Sequence, residues 1–218
     1  RIMSVMQPAY VPQTEIATVY DRIAPIYDLW ARLTETRARR RAVQIASPRD
    51  GEALLEVAVG TGLAFADLAG ANLHGRNVGV DLSPGMLARA RARVDRLGLS
   101  AELLLADAHA LPFPDRSFDL LANSYMFDLL PERDFGPVLA EFRRVLAPGG
   151  RLVLVNMGRG ERLRDRFYEW LYARTPRLMG GCRGVALSAH VESTGFREVH
   201  RETLTQCGFP TEILSAVV

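Results

Sequence analysis

Residues 54–63 constrain the fold of this 218-residue chain more than any other stretch. Residues 54–59 form a mostly apolar run that becomes β-branched towards its end, which is typical of a strand buried on both faces of a parallel sheet. Gly60 and Gly62 then permit a tight turn, and a short helical stretch follows. A strand, a glycine turn and a helix N-terminus form a nucleotide-type cradle, because free backbone N–H groups point at a ligand above the turn.

Two residues separate the ligands that such a cradle takes. A dinucleotide fingerprint requires a third glycine three positions after the second, and Phe65 occupies that position. Glu56 lies on the strand four residues before Gly60 and is directed at the same end of the sheet. A carboxylate is a poor neighbour for a pyrophosphate and a good one for an ammonium group. We therefore infer a nucleoside with a cationic amino-acid tail, S-adenosylmethionine.

The chain resembles a known family from about residue 20 to residue 157. It is similar to class I methyltransferases of the methyltransferase-11 type, close to the quinone C-methyltransferases and the bacterial phospholipid N-methyltransferases. Many members carry glycine where this chain has Ala58, and we expect the additional methyl group to leave the turn intact. The resemblance rests on six segments in order: EVAVGTG (56–62), VDLSPGML (80–87), ADA (106–108), LPF (111–113), FD (118–119) and RRVLAPGG (143–150).

The fold class expected from this resemblance and from the apolar runs is α/β. We predict a doubly wound, Rossmann-like, mostly parallel sheet with an antiparallel C-terminal edge hairpin and an N-terminal helical cap. One domain is expected, with the cap in residues 1–46 and a core in residues 47–218 that carries an insertion at 159–187. The predicted strands are 54–59, 77–80, 102–106, 118–123, 151–156, 196–205 and 211–217, and the predicted helices include 84–97, 132–146, 159–174 and 189–194.

Several residues are predicted to bind the cofactor. Asp81 ends the second strand and is placed to accept both ribose hydroxyls. Met86, in the first turn of a helix capped by Ser83, lies near the adenine or simply packs in the core. The resemblance implies that Asp107 takes the adenine amino group, although a loop-capping role is also open. The full predicted set is Glu56, Ala58, Gly60, Thr61, Gly62, Asp81, Leu82, Met86, Asp107, Ala108 and Asn123.

Three tyrosines are candidates for contact with the methyl acceptor. Residues 20–28 resemble a Tyr-Asp-x-x-Ala-x-x-Tyr-Asp segment that caps the cofactor pocket in the family, and this places Tyr20 and Tyr27 over the site. The alternative is that both are core aromatics with a hydroxyl group at the edge. Tyr125 follows the fourth strand and would face the substrate. His109 is a lone loop histidine and receives no role.

Charge and cysteine content restrict the partners. The net charge of +2 is too small to indicate nucleic-acid binding. Cys182 and Cys207 suggest reduced thiols in a cytoplasmic protein, and no metal is implied. A cluster of arginines at positions 37, 39, 40 and 41 is interpreted as a solvated helix face, with contact to an anionic membrane surface as the alternative. The oligomeric state is not determined by the sequence.

The expected reaction is methyl transfer to a small amphiphilic acceptor. The cap, the arginine cluster and the amphipathic 159–174 segment suit an acceptor with an apolar tail. Residues 21–28 look slightly more like the corresponding segment of the phospholipid N-methyltransferases, and this resemblance favours phosphatidylethanolamine-type N-methylation over C-methylation of a quinone precursor. A soluble metabolite is a further alternative. From other classes, Phe65 and Glu56 argue against an NAD-linked oxidoreductase, whereas a non-catalytic protein that binds adenosylmethionine or lipid stays open.

Overall fold

The computed structural model describes residues 33–158 and 184–218. Tyr20, Tyr27, Cys182, most of the predicted cap and the predicted 159–174 helix lie outside the described residues. No helix in the described part of the chain is long and apolar enough to cross a membrane.

A seven-stranded sheet with the order β3-β2-β1-β4-β5-β7-β6 is the centre of the fold. The first five strands along the chain pair in parallel, and β7 runs antiparallel to both β5 and β6. The predicted fold class is therefore confirmed. The strands are β1 (Ala53–Val57), β2 (Arg76–Asp81), β3 (Glu102–Leu105), β4 (Phe118–Ser124), β5 (Leu146–Met157), β6 (Arg197–Gln206) and β7 (Phe209–Val217).

Helices cover both faces of the sheet, as expected when crossover connections join parallel strands. One apolar cluster packs α1, α2 and α3 against one face, and a second packs α4 and α5 against the other. The helices are α1 (Thr36–Ala46), α2 (Leu63–Gly70), α3 (Pro84–Arg96), α4 (Phe135–Val145) and α5 (Ser188–Ser193), with 3₁₀ turns at Phe127–Leu129 and Glu132–Asp134.

The largest boundary differences from the sequence prediction lie between residues 132 and 151. The predicted helix 132–146 divides into a 3₁₀ turn and α4, and the strand begins directly at Leu146. Residues 148–150 therefore lie within β5 instead of separating helix from strand, and the register of β4 against β5 shifts between Phe118 and Leu120.

The edge hairpin closes through Cys207 and Gly208, both with positive φ, which is the two-residue turn that matches strand twist.

Close packing explains one glycine of the turn after β1. Gly62 has φ 78°, and a Cβ atom at this position would lie 3.0 Å from both Cα and Cβ of Ala90 in α3. The left-handed backbone disfavours any L side chain, and the contact with Ala90 adds a steric penalty. Gly62 thus lets α2 and α3 approach each other beside the end of β1.

We predict that Gly62→Ala lowers the free energy of unfolding by about 2 kcal/mol, from the left-handed conformation and the contact with Ala90. Denaturant unfolding of the whole chain measures the change. Gly70→Ala is the matched control, because Gly70 ends α2, the helix that Gly62 precedes, and no atom lies within 4 Å of a Cβ added there. This substitution should leave the free energy of unfolding unchanged or raise it by up to about 1 kcal/mol. Equal effects of the two substitutions would contradict this account.

Candidate functional site

The carboxyl ends of β1, β2 and β4 meet at one edge of the sheet and carry the predicted site. The register places Val57 beside both Val80 and Asn123. The turn that follows β1 is held by backbone bonds, with Val59 N–H donating to Val80 O at 3.0 Å and Gly62 N–H to Val59 O at 2.9 Å. Such an edge is where doubly wound sheets bind ligands.

Ala58 adopts a left-handed backbone conformation with φ 58°. The turn keeps its shape, as expected, but an alanine in this conformation costs about 1–2 kcal/mol relative to the right-handed region. Gly60, at φ 54°, shares the left-handed region without that cost. The glycine found in many family members at the first of these positions therefore has a conformational reason.

Asp81 links the glycine turn to the next strand and helix. Its Oδ2 accepts the Gly60 N–H at 2.8 Å and its Oδ1 accepts the Ser83 N–H at 2.9 Å. Ser83 Oγ in turn accepts the Met86 N–H at 3.1 Å, and Pro84 is the first helical residue, so the predicted N-cap of α3 is confirmed. A carboxylate oxygen can accept more than one hydrogen bond.

We name the larger depression at this edge the main cleft. Its walls are the end of β1 and the turn, the residues after β2, residues 106–109 and 124–126, and the 3₁₀ turn with Leu130. Met86 is buried and lines the cleft, and the apolar side chain of Leu82 is 46% exposed at it. The predicted residues brought together here are Ala58, Gly60, Asp81, Leu82, Met86, Asp107, Ala108 and Tyr125.

His109 holds Asp107 in the main cleft. Asp107 Oδ1 accepts the His109 N–H at 2.9 Å and lies 2.8 Å from His109 Nδ1. Burial raises the pKa of Asp107, but hydrogen bonds and charge attraction from His109 outweigh it, so the net shift is downward. His109 Nε2 also lies 3.6 Å from Asp134 Oδ2. Sequence analysis gave His109 no role, although its spacing of two residues from Asp107 was a usable signal.

A second cavity adjoins the main cleft behind the glycine turn. It is lined by Glu35, which precedes α1, by Thr36 and Arg39 of α1, by Glu56, by turn residues including Thr61, and by the start of α2. Residues 58, 60, 124 and 125 line both cavities, so the two share a boundary. The arginine cluster is therefore not one solvated face: Arg39 is turned inwards, 3.3 Å from Asp67, whereas Arg37, Arg40 and Arg41 are exposed.

Two carboxyl groups in the second cavity have strongly shifted pKa values. Glu56 is 1% exposed, and its pKa is raised well above the ordinary value by burial and by repulsion from Asp67 and Asp81, with Arg39 opposing. Its Oε2 has no hydrogen-bond partner among the described residues. Burial raises the pKa of Glu35 to about 7, again opposed by Arg39. Burial thus shifts both groups towards the neutral form, and a bound cation would favour the charged form of each.

Tyr125 stands at the boundary between the two cavities. Its hydroxyl lies 3.1 Å from Thr211 Oγ1, and its ring packs edge-on against Phe209 with centroids 5.8 Å apart. The backbone is left-handed at φ 54°, which is uncommon for an aromatic residue and typical of strain at functional sites. Strand β7, which carries Phe209 and Thr211, therefore positions the candidate substrate-facing tyrosine.

Gly62 and Asn123 are predicted site residues that line neither cavity. The Asn123 side chain is fully buried, and its Nδ2 donates to the Val57 carbonyl at 2.8 Å. This bond ties β4 to the end of β1. Asn123 thus supports the site from beneath, and a role for it in orienting the methionine portion stays a prediction.

We predict that Glu35 makes folding stability depend on pH. The carboxyl pKa is about 7 in the fold against an ordinary 4.5, so the folded state binds the proton more tightly. The stabilisation that Glu35 contributes is therefore fully present below pH 4.5 and is lost as the pH rises through 7, by at most about 3 kcal/mol. Unfolding free energies at pH 5 and pH 8 should fall less with pH in Glu35→Gln than in the wild type. Parallel profiles would contradict the shift.

Comparisons with known proteins agree with this geometry. A family model described as a methyltransferase domain matches residues 54–150. The demethylmenaquinone methyltransferase of Thermus thermophilus is 41% identical over 142 residues, which are 63% of this chain and 64% of that protein. The phosphatidylethanolamine N-methyltransferase of Cereibacter sphaeroides is 37% identical over 147 residues, 65% of this chain and 67% of that protein. The chain thus spans slightly less than two thirds of the first relative's length.

A solved structure shows the same fold. The S-adenosylmethionine-dependent methyltransferase of Aquifex aeolicus superposes with a TM-score of 0.64 over 96% of this chain and 100% of its own, at 19% identity. Fold and site therefore define an α/β protein with a cleft at the carboxyl edge of its sheet. The chain belongs to the class I S-adenosylmethionine-dependent methyltransferases, as the sequence motifs predicted, and S-adenosylmethionine is the cofactor of this family.

Proposed function

We propose that this protein transfers the methyl group of S-adenosylmethionine to an amphiphilic acceptor, with the amine of a phosphatidylethanolamine-type head group as the preferred nucleophile. In the proposed arrangement the nucleoside occupies the main cleft, with its ribose on Asp81 and its adenine between Leu82, Met86 and residues 107–108. The methionine tail extends past Ala58 and Gly60 into the second cavity, where Glu56 receives the ammonium group.

The residues present fit this cofactor. The unpartnered buried oxygen of Glu56 is the kind of orphaned acceptor that a bound ammonium would satisfy. When bound, S-adenosylmethionine supplies an electrophilic methyl group on a sulfonium. The contribution of the chain is to bind and orient the reactants and to exclude water, because the positive charge is dispersed between sulfur and nitrogen in the transition state and an apolar cleft favours a dispersed charge.

A buried polar pair at the end of β5 supports the amine acceptor; neither side chain lines the main cleft or the second cavity, and their contact with the acceptor is part of the proposal. Asn156 and Glu212 face each other in the β5–β7 pairing, so both project from the same face of the sheet. Both are buried, and both oxygen and nitrogen of the Asn156 amide lack hydrogen-bond partners among the described residues, as does Glu212 Oε1. Arg201 binds the other oxygen of Glu212. A carboxylate oxygen beside an amide can accept hydrogen bonds from the N–H groups of a neutral head-group amine and of the methylammonium that transfer produces.

The need for a base also favours an amine over a carbon acceptor. A carbon nucleophile usually requires a proton acceptor at the site, whereas an amine needs only to arrive deprotonated. Among the described residues that line the main cleft, His109 supplies the imidazole that could act as this base. Both of its ring nitrogens already lie close to carboxylates, those of Asp107 and Asp134. C-methylation of a quinone precursor is the second candidate, because it is the activity in the name of the Thermus relative.

The position of residues 159–183 in the chain supports an acceptor with an apolar tail. Val185 N–H donates to Met157 O at 3.1 Å, so the residues on either side of the 159–183 segment meet at the carboxyl end of β5. We propose that this segment and the N-terminal cap, with Tyr20 and Tyr27, cover the acceptor within one domain. The exposed Arg37 and Arg40 are suited to an anionic membrane surface.

We predict that Asp81→Ala weakens binding of S-adenosylhomocysteine by about 1–3 kcal/mol, since two ribose hydroxyls lose their acceptor. Calorimetry with the whole chain measures the change, and denaturant unfolding checks the turn, which also loses the bond to Gly60. Asp95→Ala, an exposed substitution on α3, should leave the affinity unchanged. An unchanged affinity in Asp81→Ala would refute the placement of the ribose.

The acceptor is tested by incubating the whole chain with methyl-labelled S-adenosylmethionine and three substrates in parallel. These are vesicles containing phosphatidylethanolamine, a demethylated quinol dispersed in neutral lipid, and soluble phosphoethanolamine. We expect label in methylated phosphatidylethanolamine, and Glu212→Gln should reduce it at least about tenfold because it removes the carboxylate. Label in the quinol would establish the second candidate, and cofactor binding without any transfer would indicate a binding protein.

A further inference from the structure

We propose that Arg39 of α1 binds the carboxylate of the cofactor's amino-acid tail, so that α1 forms one wall of the cofactor site and selects ligands that carry a complete tail. This inference rests on the proposed function and deepens it, because the second cavity is otherwise defined only by its acid. Arg39 belongs to a segment for which the sequence indicated a solvated face.

Opposite charges line the second cavity close together. Arg39 and Glu56 both border it, and their charges interact strongly enough for Arg39 to oppose the upward pKa shift of Glu56. An amino-acid tail presents an ammonium and a carboxylate on the same carbon atom. A cavity that binds both groups therefore needs a carboxylate and a cationic side chain close together. Among the described lining residues Arg39 is the cation.

The guanidinium of Arg39 is held in place before a ligand arrives. Its NH1 donates to the Leu63 carbonyl at 3.2 Å, and its Nε lies 3.3 Å from Asp67 Oδ2. These contacts fix the group beside the first turn of α2 and use only part of its five N–H donors. The first-turn N–H groups of a helix also favour negative charge at this position. A ligand carboxylate at this position would be stabilised by the Arg39 guanidinium and by the helix N-terminus.

The surrounding acids explain why a cation is needed there. Glu35 and Glu56 line the cavity, and Asp67 and Asp81 lie close enough to raise the pKa of Glu56. When a bound ammonium favours the charged form of Glu56, that carboxylate adds its negative charge to those of Asp67 and Asp81, and together they repel a ligand carboxylate. Arg39 offsets the repulsion locally. Without it, the site should prefer a ligand that lacks the carboxylate altogether.

The test compares S-adenosylhomocysteine with its decarboxylated analogue, which keeps the thioether and the amine. Both are titrated calorimetrically into the whole chain as wild type and as Arg39→Gln. The wild type should bind S-adenosylhomocysteine at least about tenfold more tightly than the analogue, as expected for a charged hydrogen bond. In Arg39→Gln this preference should disappear or invert, with the affinity for the analogue unchanged or higher.

Arg41→Gln is the matched control. Arg41 lies on the same helix but is exposed and pairs with Glu202 at 2.8 Å, so its loss should leave the ligand preference at the wild-type value. Arg39→Lys keeps the charge and should restore part of the preference, which also covers the case in which Arg39→Gln does not fold. Thermal unfolding of each variant reports that directly.

The outcomes separate this inference from the proposed function. If Arg39→Gln weakens both ligands equally, Arg39 acts only through the packing of α1, and the inference is overturned. If the wild type does not distinguish the two ligands, it is overturned as well, while the proposed function stands. A wild-type chain that binds neither ligand removes the proposed function and this inference together.

Discussion

The candidate site depends on the carboxylate of Asp81 and the two backbone N–H groups that it accepts, from Gly60 and Ser83. These bonds join the end of β1, the end of β2 and the start of α3 into one unit. The turn contains three left-handed residues, which need support to persist. A single acid therefore shapes the floor of the main cleft and is also proposed to contact the ligand, so folding and binding use the same atoms.

Much of the fold was predictable from local chemistry. The apolar run ending at Gly60, the acid closing the second strand and the Ser83–Pro84 helix start each have one strongly preferred structure, and the structure contains all of them. Boundaries at residues 132–150 were misplaced because Leu146 already pairs with Phe118, whereas residues 147–150, which include Gly149 at φ 76°, form an irregularity before pairing with β4 resumes at Arg151. Tertiary pairing, which local sequence does not encode, decides such cases.

The site was less predictable where contacts cross long sequence distances. Arg39 meets Leu63, and Tyr125 meets Thr211, 86 residues away; no spacing rule relates these pairs. The arginine cluster reads as a uniform charged face, yet helix geometry turns one member of it towards the sheet. His109 is a similar case, since its proximity to Asp134 arises only when the 3₁₀ turn folds over the loop. Positions fixed by strand ends were accessible from sequence, and positions fixed by packing were not.

The bond between Val185 and Met157 has an evolutionary implication. A segment that departs from and returns to the same point of a sheet can be lengthened, shortened or replaced without changing strand order or register. Relatives named for lipid and for quinone chemistry then require no different scaffold. Exchange of residues 159–183 alone would let an ancestral methyltransferase acquire new acceptors while the strands that carry its proposed cofactor site stayed unchanged.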